Sequence, residues 1–174
     1  MTVLEVPHVK QSTAYSCGPA CATIVLRHYG YKAKEKLMIK RLGASPEDGV
    51  PPKDLVRWFR NRRFRIKQHH KANLKTLEAH LTEGWPVIVA YQDHAVRPSE
   101  VDYTTSWDHG HYAVVVGFDE EKIYLADPSS LKTKRGLVKE DFLGRWRDIT
   151  TGGTIYHRWM VAIGPRRLGT KRKT

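Results

Sequence analysis

The sequence is short of cysteine, of acid and of long apolar runs. Its 174 residues include two cysteines, Cys17 and Cys21. Two thiols four positions apart cannot staple a small fold, because a bridge along one helical turn needs side-chain directions the helix does not supply. No Cys-x-x-Cys pair is present, so a four-cysteine zinc site is excluded. Free thiols fit a reducing compartment, and a cytoplasmic location is the expectation. No apolar run approaches the roughly 18 residues that span a bilayer. Residues 1–8 lack the basic region and apolar stretch of an export signal. Internal repeats and low-complexity linkers are missing too. No metal or cofactor is called for.

What the chain does have is positive charge. Thirty Lys and Arg face 18 Asp and Glu, a net charge of +12. A small domain stays soluble with a magnitude of roughly 2 to 8. The run 53–71 holds Lys53, Arg57, Arg60, Arg62, Arg63, Arg65, Lys67 and Lys71 against one acid, Asp54. Arg166, Arg167, Lys171, Arg172 and Lys173 follow Gly164. Such surfaces attract anions, so an acidic partner for 53–71 and a basic, substrate-attracting groove are expected. A solvated basic face explains the same residues. No nucleic-acid motif accompanies them. The length suits one domain, placed at 1–165, with 166–174 as a disordered basic tail.

The pattern along the chain predicts α+β. Residues 3–9 read as extended. A helix is predicted from Cys17 to Tyr29, capped by Ser16, with Pro19 in its first turn and Gly30 closing it. Shorter helices are predicted over 34–42, 52–62 and from Asn73 to Glu83. Strands are predicted over 64–68, 86–91, 111–117, 123–127 and 154–163, with a polar loop at 92–109 and a helix at 139–147. Thr151-Gly152-Gly153-Thr154 reads as a turn. Helices dominate the first half and antiparallel strands the second, which argues for segregated layers.

Cys17 is the most informative residue. A helix start carries unpaired N–H groups and partial positive charge, and both stabilise a thiolate. From position alone Cys17 fits a nucleophile or a small buried apolar residue equally. Cys21, one turn deeper, reads as core. A thiol nucleophile needs a base and a group to orient it. Of nine histidines, His109 and His111 precede the most apolar strand. His111 opens that strand and Asp127 ends the next, so a tight antiparallel hairpin brings them together. A carboxylate there would fix the imidazole tautomer. Taken separately, the two residues also fit a strand-end histidine and an Asp-Pro turn. Gly18 leaves room for a substrate backbone. Gln11 could donate to an oxyanion beside the Cys17 N–H, or be an ordinary polar loop residue.

Three separated stretches together resemble the C39 peptidases, a papain-like cysteine peptidase family. They are Gln11-Ser-Thr-Ala-Tyr-Ser-Cys17-Gly18-Pro-Ala20, Gly110-His111-Tyr-Ala-Val-Val-Val-Gly, and Ala126-Asp127-Pro128. The resemblance spans about 3–163. It implies a papain-like fold, with a helical N-terminal part carrying the cysteine and a C-terminal antiparallel sheet. It also implies Cys17 as nucleophile, His111 as base, Asp127 as its orienter, and Gln11 with the Cys17 N–H as oxyanion hole. Gly18 and Gly110 would then touch a peptide or protein substrate. Well-known members cut leader peptides after a double glycine, usually as one domain of a peptide exporter. Ser16 departs from the Asp or Asn common before the cysteine. No transporter segments or ATP-binding motif follow, which leaves a free-standing peptidase or one domain of a longer chain. Two rivals remain beside peptide hydrolysis: an inactive peptide-binding relative, and thiol acyl transfer or deamidation on the same fold.

Overall fold

The computed structural model describes residues 1–93 and 100–167. Its centre is β3 (Val87–Gln92) against β4 (Gly110–Phe118), paired antiparallel from Val87↔Val115 to Gln92↔Gly110. Both strands are covered on two faces, which is why they read as near-continuous apolar runs. Ile88, Ala90, Val114 and Val116 enter a core with α1 (Cys17–His28), α2 (Glu35–Leu42) and α3 (Pro52–Asn61). Val87, Val89, Ala113 and Val115 face the other way, onto Leu77 and Leu81 of α4 (Leu74–Thr82) and Phe142 of α5 (Lys139–Arg145).

The remaining strands extend this centre into a seven-stranded antiparallel sheet. On one side β3 pairs with β9 (Met160–Arg166), and β9 with β2 (Phe64–His69). On the other, β4 pairs with β5 (Lys122–Ala126), and β5 with β6 (Arg135–Val138). The short β1 (Thr2–Val3) lies along the far end of β4. A separate ribbon joins β7 (Arg147–Ile149) to β8 (Ile155–His157). Its tip is the turn expected at Gly152-Gly153, where the Gly153 N–H donates to the Thr150 carbonyl at 2.8 Å.

Helix α1 is buried continuously from Gly18 to Leu26. A helix packed on nearly every side needs small residues, and Gly-Pro-Ala-Cys-Ala-Thr supplies them. Gly30 adopts φ +80° just beyond it, a conformation that glycine reaches without strain. Asn73 caps α4 as expected, accepting from the Thr76 N–H at 2.8 Å. Ser16 stands at the N-cap of α1 but makes no side-chain cap. Its hydroxyl is turned back to Thr13, accepting from the Thr13 N–H at 3.1 Å.

The α+β architecture is as the sequence predicts, with several boundaries moved. The strand expected over 154–163 is broken at Arg158, whose φ of +49° no strand tolerates, into β8 and β9. The helix expected to reach 147 stops at Arg145, because β7 begins at Arg147. Arg166 and Arg167, expected in the tail, are held: Arg166 ends β9, and the Arg167 N–H donates to the Arg63 carbonyl at 2.8 Å. The rest of that expected tail, 168–174, and part of the expected 92–109 loop lie outside the described residues. Among the described residues no helix is long and apolar enough to cross a membrane.

Candidate active site

Cys17 is the first residue of α1 and only half-buried, whereas Cys21 is fully buried; both thiols are free. Burial pushes the Cys21 thiol up, and the nearby Cys17 and Asp127 add to the shift. Cys21 is thus the inert thiol and Cys17 the accessible one.

His111 and Asp127 are 3% and 1% exposed, and His111 Nε2 lies 2.8 Å from Asp127 Oδ1. The backbone register does not itself align them. β4–β5 pairing ends at Val114↔Ala126, and the residue directly across from His111 is Tyr91 on β3. The two side chains bridge diagonally past the end of the ladder. With Nε2–H committed to Asp127, the other ring nitrogen is left for the Cys17 thiol, which is near enough to help raise the imidazole pKa. Burial alone would lower the imidazole pKa, but the Asp127 hydrogen bond and the neighbouring Cys17 outweigh it and raise it well above a free imidazole's. Burial would raise the Asp127 carboxyl, yet the His111 bond and Ser129 donors hold it well below the usual carboxylate range.

The shell behind Asp127 was not visible in the sequence. Ser129 donates to Oδ1 from its N–H (2.9 Å) and its hydroxyl (2.8 Å). The Tyr91 hydroxyl stands 2.9 Å from Asp127 Oδ2 and 2.9 Å from Asp93 Oδ2. Arg135 pairs with Asp93 and reaches to 3.6 Å from Asp127 Oδ2. A polar Tyr-Gln-Asp end on a buried strand was the available signal for Tyr91 and Asp93. Arg135 sits on β6, a strand the pattern did not reveal.

Cys17, Gly110 and His111 open on one cleft of about 600 Å³, together with Trp107, Asp148 and Tyr156. Asp148, also missed, is half-buried there. Its Oδ1 accepts from Gln92 Nε2 at 3.3 Å and from the Ile149 N–H at 2.8 Å. Burial raises its carboxyl to about 6, against the lowering effect of those donors and of His111. A Cβ on Gly110 would run into this carboxylate.

Two expected residues are placed differently. Gly18 does not line the cleft; a Cβ there would stand 3.3 Å from Val50 Cβ, so its smallness accommodates Val50 and Tyr112 of the protein itself. Gln11 does not line it either. Its amide Nε2 donates to the Thr13 carbonyl at 2.8 Å, and its backbone N–H donates to the Pro128 carbonyl at 3.0 Å, tying this loop to the Asp127 turn. Of the basic run 53–71, Lys53 alone reaches the cleft. Arg57 and Arg62 line a second, separate groove together with Arg41, Asp54 and Trp58. Among the described residues no group of three or more His, Cys, Asp or Glu is arranged to hold a metal ion.

A helix-borne thiol facing a strand-borne imidazole, both on an α+β scaffold, places the chain in the papain-like structural class. The comparison with solved structures agrees. A chain described as a C39-like peptidase from Bacillus anthracis superposes with a TM-score of 0.72 at 14% identity, covering 96% of this chain and 98% of that one. The peptidase domain of Streptococcus ComA, a bifunctional ABC transporter involved in quorum sensing, gives 0.69 at 19% identity over 94% and 99%. A double-glycine-motif protease from an AMS/PCAT transporter, solved with its leader peptide, gives 0.63 at 18% over 94% and 95%. An uncharacterized protein of Methanothermobacter marburgensis is 28% identical over 138 residues, covering 78% of this chain and 82% of its own. The model of the Peptidase_C39 like family matches residues 3–154, and the chain belongs to that family.

Proposed function

We propose that the protein is a cysteine peptidase in which Cys17 attacks the scissile carbonyl. The observation that carries this reading is the His111–Asp127 pair at 2.8 Å, with the half-exposed Cys17 against the same ring. His111 takes the thiol proton, the thiolate bonds to the carbonyl carbon, and the oxyanion gathers at the Cys17 N–H. The tetrahedral intermediate expels the amine, to which His111 returns the proton. Water, deprotonated by His111, then releases the acyl group and restores the thiol. Asp127 fixes the Nε2–H tautomer and supports the imidazolium throughout. Gln11 serves the oxyanion only by turning its amide away from Thr13. Peptides with a double glycine before the scissile bond are the first substrates to try, since a structural relative acts on that motif.

The test is mass-spectrometric analysis of a peptide library carrying Gly-Gly and other small residues, incubated with the wild type and with Cys17→Ala. Cleavage by the wild type alone is expected. No cleavage, or cleavage that survives Cys17→Ala, overturns the reading.

A further inference from the structure

The protein carries +12 overall, yet its cleft is lined by three aspartates, Asp48, Asp108 and Asp148, against Lys53 and His111. Asp48, Asp108 and Lys53 are exposed rim residues, whereas Asp148 is half-buried beside the base. Its place is built: Gly110 has no side chain where the carboxylate sits, and Gln92, itself fully buried, donates to it. Both donors fall on Oδ1, which leaves Oδ2 to accept from a ligand. Among the described residues no Lys or Arg forms an ion pair with it, unlike Asp93, which pairs with Arg135 and Arg145. His111 is the cation whose charge reaches Asp148, and it does not offset the burial that raises the carboxyl, so a cation arriving with substrate relieves a cost that remains.

The side of the scissile bond follows from the proposed chemistry. His111 protonates the departing amine, so the released half of the substrate lies over His111. Asp148 stands against Gly110, and its charge is felt at the His111 ring, so it lies nearest that half.

We propose that Asp148 determines specificity by selecting peptides with a Lys or Arg side chain just after the scissile bond. This rests on the peptidase reading for its orientation.

The experiment measures binding and cleavage separately. Two fluorescent peptides, Gly-Gly followed by Lys-Lys and Gly-Gly followed by Glu-Glu, are titrated by anisotropy into Cys17→Ala and Cys17→Ala/Asp148→Asn, and both are given to the wild type. Cys17→Ala should bind the Lys peptide roughly ten-fold more tightly, and Asp148→Asn should erase most of that preference. Similar affinities, or a preference that survives Asp148→Asn, would overturn the proposal. So would binding of neither peptide. If Asp148→Asn does not fold, as judged by thermal melting, the two peptides on Cys17→Ala and on Cys17→Ala/Asp148→Ser decide. Lys-selective binding without wild-type cleavage sinks the peptidase reading, and with it the position after a scissile bond, while Asp148 remains the residue that selects the cation. Cleavage indifferent to Lys or Glu sinks the specificity alone.

Discussion

His111 Nε2 and Asp127 Oδ1 meet at 2.8 Å in a position almost closed to water, and each shifts the other's proton affinity. The imidazole, at 6.5 when free, is raised; the carboxyl, at 3.8 when free, is lowered. The raised histidine contributes stability that is full below about pH 6.5 and lost as pH rises toward its folded value. The lowered aspartate contributes stability that is full above about pH 4 and lost as pH falls. The pair therefore stabilises most between about pH 4 and 6.5. Melting temperature against pH should show a larger wild-type advantage over Asp127→Asn in that window than at about pH 9; a constant difference contradicts the coupling. The His111 ring signals in NMR should also stay those of imidazolium past neutral pH, and revert toward ordinary behaviour in Asp127→Asn.

Asp148 shifts the other way, with a different consequence for stability. Its carboxyl is raised from 3.8 to about 6 by burial, so the folded protein binds its proton more tightly than the unfolded chain. Stability then falls as pH rises from about 4 to 6, and ionised Asp148 costs on the order of 1–3 kcal/mol at neutral pH. Asp148→Asn should melt roughly 2–12 °C higher than wild type at about pH 7. The gain should vanish near pH 4. A destabilised Asn variant at neutral pH would contradict this. A stabilising change inside a cleft is the usual mark of a residue kept for function.

Gly110 and Asp148 share one space, and a mutant cycle reads that directly. Gly110→Ala should destabilise by roughly 1–3 kcal/mol, since the new methyl meets the carboxylate. Combining it with Asp148→Ala should recover most of the loss. Additive losses in the double variant would mean that the two positions are independent.

The legible parts of the molecule are those where one local rule decides. The helix from Cys17 to Gly30 announces itself by a proline in the first turn and a glycine past the end. Asn73 is a cap in both sequence and structure. The β4–β5 hairpin follows from two apolar runs around Asp119-Glu-Glu-Lys, and it placed His111 near Asp127 although the true contact is diagonal. Less visible were elements fixed by distant partners. β6 is four residues, Arg-Gly-Leu-Val, and exists because β5 offers it an edge. Asp148 lies on a three-residue strand, with nothing local to distinguish it from a surface acid. Its environment comes from Gly110 and Gln92, far away in the chain. Net charge does not tell which surface carries it: helix α3 faces this cleft only with Lys53, while Arg57 lines another groove.

The most direct test of the Cys17–His111 pair is the alkylation rate of each thiol by iodoacetamide at about pH 6, for the wild type and His111→Ala. Cys17 should react at least about 100-fold faster than the buried Cys21, and His111→Ala should remove most of that advantage while the protein stays folded. A Cys17 that reacts no faster than an ordinary thiol at that pH, or one indifferent to His111→Ala, would contradict a catalytic pair.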